Sequence, residues 1–339
     1  MTENKSKPFP LVIGRVSAPH ICNTIFNLLD RNAQLNSRSV CSDWKDVVDF
    51  ETQLWTDPSL YKKAAREGNL ELCGKIIECL RTGNKSPHST PLRIAASRGH
   101  VEVCQLIIDC LENKNPTYDE EGNTVLHAAA QSKRGTDPER ALQVYRLIMH
   151  EVEDKNPKNQ DGYTPLHKAV IARNFNLCTL IVEKIQEKNP ADDGGQTPLH
   201  LAAFEGNLDI CKLFLENIQE KNPADNDGLT PLHDAAAMGH LDIVQLIIAN
   251  IEDKNPPAVD GVTPLHMAAG MDQWQGIFPY AASRQAKYID ICRLILEEVE
   301  DKHPVDAAGQ TPLDKAREAF QQDVFGEEVL QQLEQLWQA

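Results

Sequence analysis

The sequence predicts an all-α solenoid of stacked helix-turn-helix repeats joined by hairpin loops, preceded by a small helical domain of a different pattern. Three observations carry that prediction. A four-residue phrase recurs seven times, as Thr90-Pro91-Leu92-Arg93, Thr124-Val125-Leu126-His127, Thr164-Pro165-Leu166-His167, Thr197-Pro198-Leu199-His200, Thr230-Pro231-Leu232-His233, Thr263-Pro264-Leu265-His266 and Thr311-Pro312-Leu313-Asp314. Its threonines are 34, 40, 33, 33, 33 and 48 residues apart, and a fixed period near 33 residues marks stacked repeats. Each phrase also leads into two apolar stretches at helical spacing. Neither helix could bury its apolar face alone, so the copies must stack.

The elements of one copy follow from residue chemistry. Thr197 is a helix N-cap, and Pro198 takes the first helical position, where its missing N–H costs nothing. Leu199, Ala202 and Ala203 line one face of a short first helix. After Gly206-Asn207, the residues Leu208, Ile210, Cys211, Leu213, Phe214 and Leu215 form a more apolar second helix. Its pattern runs on through Ile218, and the expected stop is Asn222-Pro223, because the residue before proline avoids the helical region. Asn226-Asp227-Gly228 is a turn leading to the next Thr-Pro. The turn between helices uses Gly68, Gly99, Gly206 and Gly239, but the fourth copy has Arg173 there. Arg173→Gly is therefore expected to stabilise by about 1 kcal/mol.

The two ends fit the same scheme. A degenerate copy precedes the first phrase, with Leu60, Ala64, Ala65, Gly68, Asn69, Leu70, Leu72, Cys73, Ile76 and Ile77 in the pattern. After Thr311, Val329, Leu330, Leu333, Leu336 and Trp337 mark one face of a closing helix. The solenoid is thus expected over residues 59–339, in about eight copies, enlarged near 133–140 and 272–286. The second insertion carries Trp274, Phe278 and Tyr280, either as a binding loop or folded back over neighbouring helices.

The phrase resembles the opening of the ankyrin repeat, T-P-L-H-x-A-A. The resemblance implies a surface that recognises a target protein rather than an enzyme. In ankyrin arrays the contacts lie at the hairpin tip and the exposed end of the first helix, on the concave face. Carried through the phrase, these positions are Tyr163, Gln196, Leu229 and Val262 before the threonines, and Ile171, Phe204, Glu205 and Met238 after the small-residue pair. Apolar residues at hairpin tips are unexpected on solubility grounds. Aligned along consecutive copies they form a patch, with Tyr163 and Phe204 as aromatic anchors. Alternatively, each packs against its neighbouring hairpin.

The first 58 residues read differently. Residues 1–16 are expected to be a flexible terminus and 17–58 a separate helical domain. Ile25, Leu28 and Leu29 suit one helix face, and Val40, Trp44, Val47 and Val48 another. Leu35 to Trp44 has the pattern L-x-x-x-x-V-C-x-x-W, followed by Leu54-Trp55, while Pro19 and Ile25-Phe26 to Leu29 precede it. This segment resembles an F-box, although Ala18 stands where leucine is usual and the opening glutamate is absent. The resemblance implies docking on the Skp-type adaptor of cullin–RING ubiquitin ligases, through Pro19, Ile25, Phe26, Leu29, Val40 and Trp44. The alternative is an ordinary helical cap on an ankyrin scaffold or sequestering protein.

Composition narrows the partners. The net charge of −16 disfavours phosphate backbones and anionic membranes, so no nucleic acid or membrane partner is expected and basic proteins are favoured. No run of 18 apolar residues could span a bilayer, and the stretch from Phe9 to Ile13, interrupted by Pro10, is too short for a signal peptide. Of nine cysteines, Cys73, Cys104, Cys178, Cys211 and Cys292 recur at one second-helix position, where another copy has Val244. A cysteine interchangeable with valine is a small core residue, and stacking holds successive copies too far apart for a disulfide. A reduced protein of the cytoplasm or nucleus is expected. His127, His167, His200, His233 and His266 sit on successive copies, too far apart to share a metal ion. Their expected role is a ring nitrogen bonding loop backbone between copies. With no nucleophile motif, phosphate loop or dinucleotide fingerprint, no catalytic residue, metal or cofactor is expected.

Overall fold

The computed structural model describes residues 12–13, 16–17, 58–82, 89–131, 137–270, 282–322 and 326–338. The adaptor-contact set Pro19, Ile25, Phe26, Leu29, Val40 and Trp44 lies outside the described residues, as do Trp274, Phe278 and Tyr280. Near the N-terminus, β1 (Val12–Ile13) pairs antiparallel with β2 (Val16–Ser17), a feature the sequence pattern did not foreshadow. All other regular structure among the described residues is helical.

Eight helix pairs follow one another. They are α1 (Pro58–Glu67) with α2 (Leu70–Thr82), α3 (Ser89–Ala96) with α4 (Val101–Ile108), α5 (Val125–Ala130) with α6 (Pro138–His150), and α7 (Pro165–Ile171) with α8 (Phe175–Lys184). Next come α9 (Pro198–Phe204) with α10 (Leu208–Asn217), and α11 (Pro231–Ala237) with α12 (Leu241–Ile248). The last pairs are α13 (Pro264–Gly270) with α14 (Ala282–Glu298), and α15 (Pro312–Gln321) with α16 (Glu327–Gln338). Odd-numbered helices pack on the next odd-numbered helix and even on even, so the first helices form one row and the second helices another.

The core runs lengthwise between the rows. Leu92, Leu126, Leu166, Leu199, Leu232 and Leu265 of the phrase are fully buried, as are the alanine pairs that follow. Cys73, Cys104, Cys178, Cys211 and Cys292 are buried free thiols alongside Val244. Burial pushes the thiols of Cys73, Cys178 and Cys211 up to about 12, which fits packing residues rather than nucleophiles. In the third copy Tyr145 takes the cysteine's place, and its hydroxyl donates to Lys155 O at 2.9 Å. At the C-terminal end Leu333 and Trp337 are buried, and Trp337 Nε1 donates to Lys302 O at 2.8 Å.

One expectation needs correction. The second helix of the fifth copy does not reach Asn222-Pro223: α10 ends at Asn217, and Ile218 is extended at φ −107, ψ 159. Ile218 turns extended ahead of the loop, as Ile185 does after α8, and the Lys221 ammonium turns back to donate to the carbonyls of Leu215 and Ile218 and covers the open end of the helix. Lys114 does the same to Ile108 O at 2.7 Å, Lys155 to Met149 O at 2.7 Å, and Lys254 to the carbonyls of Ile248 and Ile251. The following asparagine then reaches forward. Asn115, Asn156, Asn189, Asn222 and Asn255 each accept, at 2.9–3.1 Å, from the leucine N–H of the next phrase. In four copies Lys-Asn-Pro is thus a clasp between helix end and helix start.

Candidate functional site

The row of first helices and the hairpins beside it form the candidate interface, and histidine holds that face in register. In five copies the Nδ1 of the phrase histidine accepts from the threonine backbone N–H at 3.0–3.1 Å, with the threonine Oγ1 at 2.9–3.0 Å. This is a capping box with histidine in the place usual for glutamate. The opposite nitrogen faces a carbonyl of the next hairpin, which can only accept, so Nε2 carries the proton. His127 donates to Tyr163 O, His167 to Gln196 O, His200 to Leu229 O, His233 to Val262 O and His266 to Gln310 O, at 3.0–3.3 Å. Burial holds His167 and His233 down to about 4, and it lowers His127, His200 and His266 as well. The histidines are structural staples.

The hairpins join each other directly. One backbone bond crosses each junction: Gln160 N–H to Glu121 O, Asp193 to Asp161, Asn226 to Gly194, Val259 to Asp227, and Ala307 to Asp260, at 2.7–3.0 Å. Gly162, Gly195 and Gly228 make the approach possible. A Cβ there would stand 2.6–2.7 Å from a backbone nitrogen of the next hairpin.

The staples use the backbone of Tyr163, Gln196, Leu229 and Val262 and leave their side chains half-buried along the hairpin edge. Tyr163 is already engaged: its ring lies 5.1 Å from that of His167, and the Lys168 ammonium sits 5.0 Å over it. On the helices, Ile171 is 42% exposed and Phe204 half-buried, at matching ends of α7 and α9. Glu205 and Met238 fall one residue later, at the C-caps of α9 and α11. They therefore form a separate row from Ile171 and Phe204. Glu205 is also committed, because Arg173 donates to its carbonyl at 2.5 Å and pairs with its carboxylate at 3.1 Å.

Sequence reasoning missed part of this face. Phe175 is 44% exposed at the start of α8, and half-buried Leu208 holds the matching place on α10. Leu201 and Met267 follow the staple histidines and are only partly covered. The signal for Leu201 and Met267 was present: they are apolar residues at the position after the histidine, where the copies carry alanine, lysine, leucine, aspartate and methionine. Asp234 occupies that same position on α11, half-buried, and burial together with the Asp225 carboxylate pushes its carboxyl well above the usual range. Among the described residues, no group of three or more His, Cys, Asp or Glu could hold a metal ion, and no helix is long and apolar enough to cross a membrane.

Comparison with protein families gives a match described as ankyrin repeats (3 copies), at residues 62–138, 139–225 and 217–278, together more than half of the chain. No F-box model is matched. Among curated proteins no relative matches.

Proposed function

Because this chain belongs to the ankyrin-repeat family, a protein–protein interaction module, we propose that its first-helix face holds a target protein and that its N-terminal segment delivers that target to a ubiquitin ligase. One observation carries the first half. Within each phrase the threonine, leucine and small residues barely vary between copies because each is buried or stapled. The residue after the histidine is instead buried Ala128 in the third copy but half-buried Lys168, Leu201, Asp234 and Met267 in the next four, and half-buried Lys315 follows Asp314 in the last. A position that is held at one place in the fold, left partly open from the fourth copy on and filled there by lysine, leucine, aspartate or methionine is free to be shaped by a partner. Tyr163, Ile171, Gln196, Phe204, Glu205, Leu229, Met238 and Val262 border it and belong to the same surface.

The second half rests on the resemblance of Pro19 to Trp55 to an F-box. Pro19, Ile25, Phe26, Leu29, Val40 and Trp44 would dock on the Skp-type adaptor, and the chain would supply proximity rather than a chemical group. In a co-precipitation of full-length chain with the adaptor, Pro19→Ala with Leu29→Ala should weaken binding a hundredfold or more. This follows from about 1.5–3 kcal/mol for each large apolar side chain buried. If the unaltered chain shows no adaptor binding at micromolar concentration, the ligase role falls and a scaffold or sequestering protein remains. With a target in hand, Tyr163→Ala with Phe204→Ala should weaken its binding by about 2 kcal/mol or more without unfolding the array. Unchanged affinity would direct attention to the 272–286 insertion.

A further inference from the structure

Asp234 is the unusual member of the variable row. It stands on α11 with α9 and α13 packed on either side, and Leu201 and Met267 hold the matching places on those helices. One turn further on, the three helices carry half-buried Phe204 and Ala237 and buried Gly270, the last covered by the Lys315 side chain, so the small Ala237 stands next to Asp234 on its own helix. Among the described residues its carboxylate takes part in no hydrogen bond or ion pair, and Asp225 is the charge nearest to it in effect.

The basic residues around this face are already occupied. Lys168 lies over the Tyr163 ring, Arg173 pairs with Glu205 at 3.1 Å, and Lys315 pairs with Asp306 at 3.1 Å. The carboxylates along the hairpin edge have no cation. Asp161, Asp193, Asp227 and Asp260 are exposed in consecutive copies, and among the described residues none is in an ion pair. The whole chain carries a net charge of −16.

We infer that this face takes a basic segment of a partner protein, with one lysine or arginine seated on Asp234 and apolar neighbours against Leu201, Phe204 and Met267. The inference rests on the reading of this face as the partner-binding surface. An acidic segment would meet an uncompensated row of carboxylates. A wholly apolar one would cover Asp234 and leave it without a partner, which is unfavourable. A lysine or arginine can lay its aliphatic stem over Ala237 and bring its cation to the carboxylate. The exposed aspartates beside it would steer the approach of such a segment.

The test is selection of a phage-displayed random peptide library on immobilised full-length chain, followed by anisotropy titration of the enriched peptides. The expected peptides carry a lysine or arginine between large apolar residues. Asp234→Asn should weaken their binding about tenfold, Asp234→Glu should weaken it less, and added salt should weaken it for the unaltered chain. Thermal melts followed by circular dichroism check that the variants remain folded. Peptides without a basic residue that still need Phe204 would overturn the basic occupant and leave the face reading intact. Peptides indifferent to both Phe204→Ala and Leu201→Ala, or no enrichment at all, would overturn both.

Discussion

Mild acid should loosen this solenoid through its histidine staples. Each staple needs a neutral ring, because Nδ1 accepts from the threonine N–H while Nε2 donates to the next hairpin. A second proton would point at a donor and leave a buried cation without a partner. His167 and His233 are held at about 4 against an ordinary 6.5, with burial the leading cause. A folded value below the unfolded one means that the folded chain binds fewer protons. Stability is therefore complete above pH 6.5 and is lost as the pH falls from there toward 4. At pH 5.5 the loss is about 1.4 kcal/mol for each of these two groups, roughly 3 kcal/mol together. His127, His200 and His266 are lowered by the same cause and add in the same direction. Asp234 opposes them, because a raised carboxyl favours the fold in acid. Against a total of about 5–15 kcal/mol for a typical protein, the histidine contribution is large. Urea unfolding of the full chain at pH 7.5 and 5.5, at constant ionic strength, measures it. His167→Gln with His233→Gln should be less stable at pH 7.5 yet lose less on acidification. An unchanged midpoint in the unaltered chain, or an equal loss in the double variant, would refute the reasoning.

Three other variants probe the turns between helices and a helix end. Arg173 has φ 55, the only positive value at a non-glycine among the described residues, so Arg173→Gly relieves strain worth about 1 kcal/mol. Loss of the exposed Glu205 pair takes back part of this, so a net gain below about 1 kcal/mol is expected in thermal melts, and a clear loss would show that the pair dominates. Gly206→Ala should destabilise by about 2 kcal/mol or more, because the new Cβ at φ +73 falls 2.4 Å from the His240 ring. Adding His240→Ala should recover part of that loss in a double-mutant cycle. Lys221→Met should cost about 1.5–3 kcal/mol in urea unfolding through the carbonyls of Leu215 and Ile218, and a change under 0.5 kcal/mol would rule the clasp out as a stabilising device.

The legible parts of this protein were those repeated for a physical reason. Thr-Pro reads as a helix start in any chain, and its recurrence gave the stack. The cysteine–valine exchange revealed a core position because the two side chains differ little in size. The histidine staple was foreseen in kind, since five rings spaced one copy apart can reach a neighbouring loop but not a common ion. The lysine of Lys-Asn-Pro was not foreseen. Proline draws attention as the helix breaker, yet the helix ends at Asn217, where Lys221 caps carbonyls from beyond it, and a lysine in a polar loop carries no local sign of that role.

Arg173 shows how context decides what a single position means. Read alone, it is an arginine where glycine belongs. In the stack, the glycines at this turn also make room for a ring from the next copy: His100 beside Gly68, His240 beside Gly206 and Tyr288 beside Gly239. Those rings bond carbonyls of the preceding copy, His100 to Arg66 O, His240 to Phe204 O and Tyr288 to Ala237 O, at 2.9–3.1 Å. The copy after Arg173 has the short Asn207 in that place, which caps its own helix through Ile210 N–H. No ring arrives, a side chain fits at Arg173, and the arginine makes the junction by reaching forward to Glu205 O. The link between copies is kept while donor and acceptor change sides. Asn207→His should accordingly be poorly tolerated in the unaltered chain and well tolerated with Arg173→Gly, a coupling that thermal melts of the two single variants and the double variant would expose. Strict additivity of the two substitutions would mean that ring and arginine do not compete for one space.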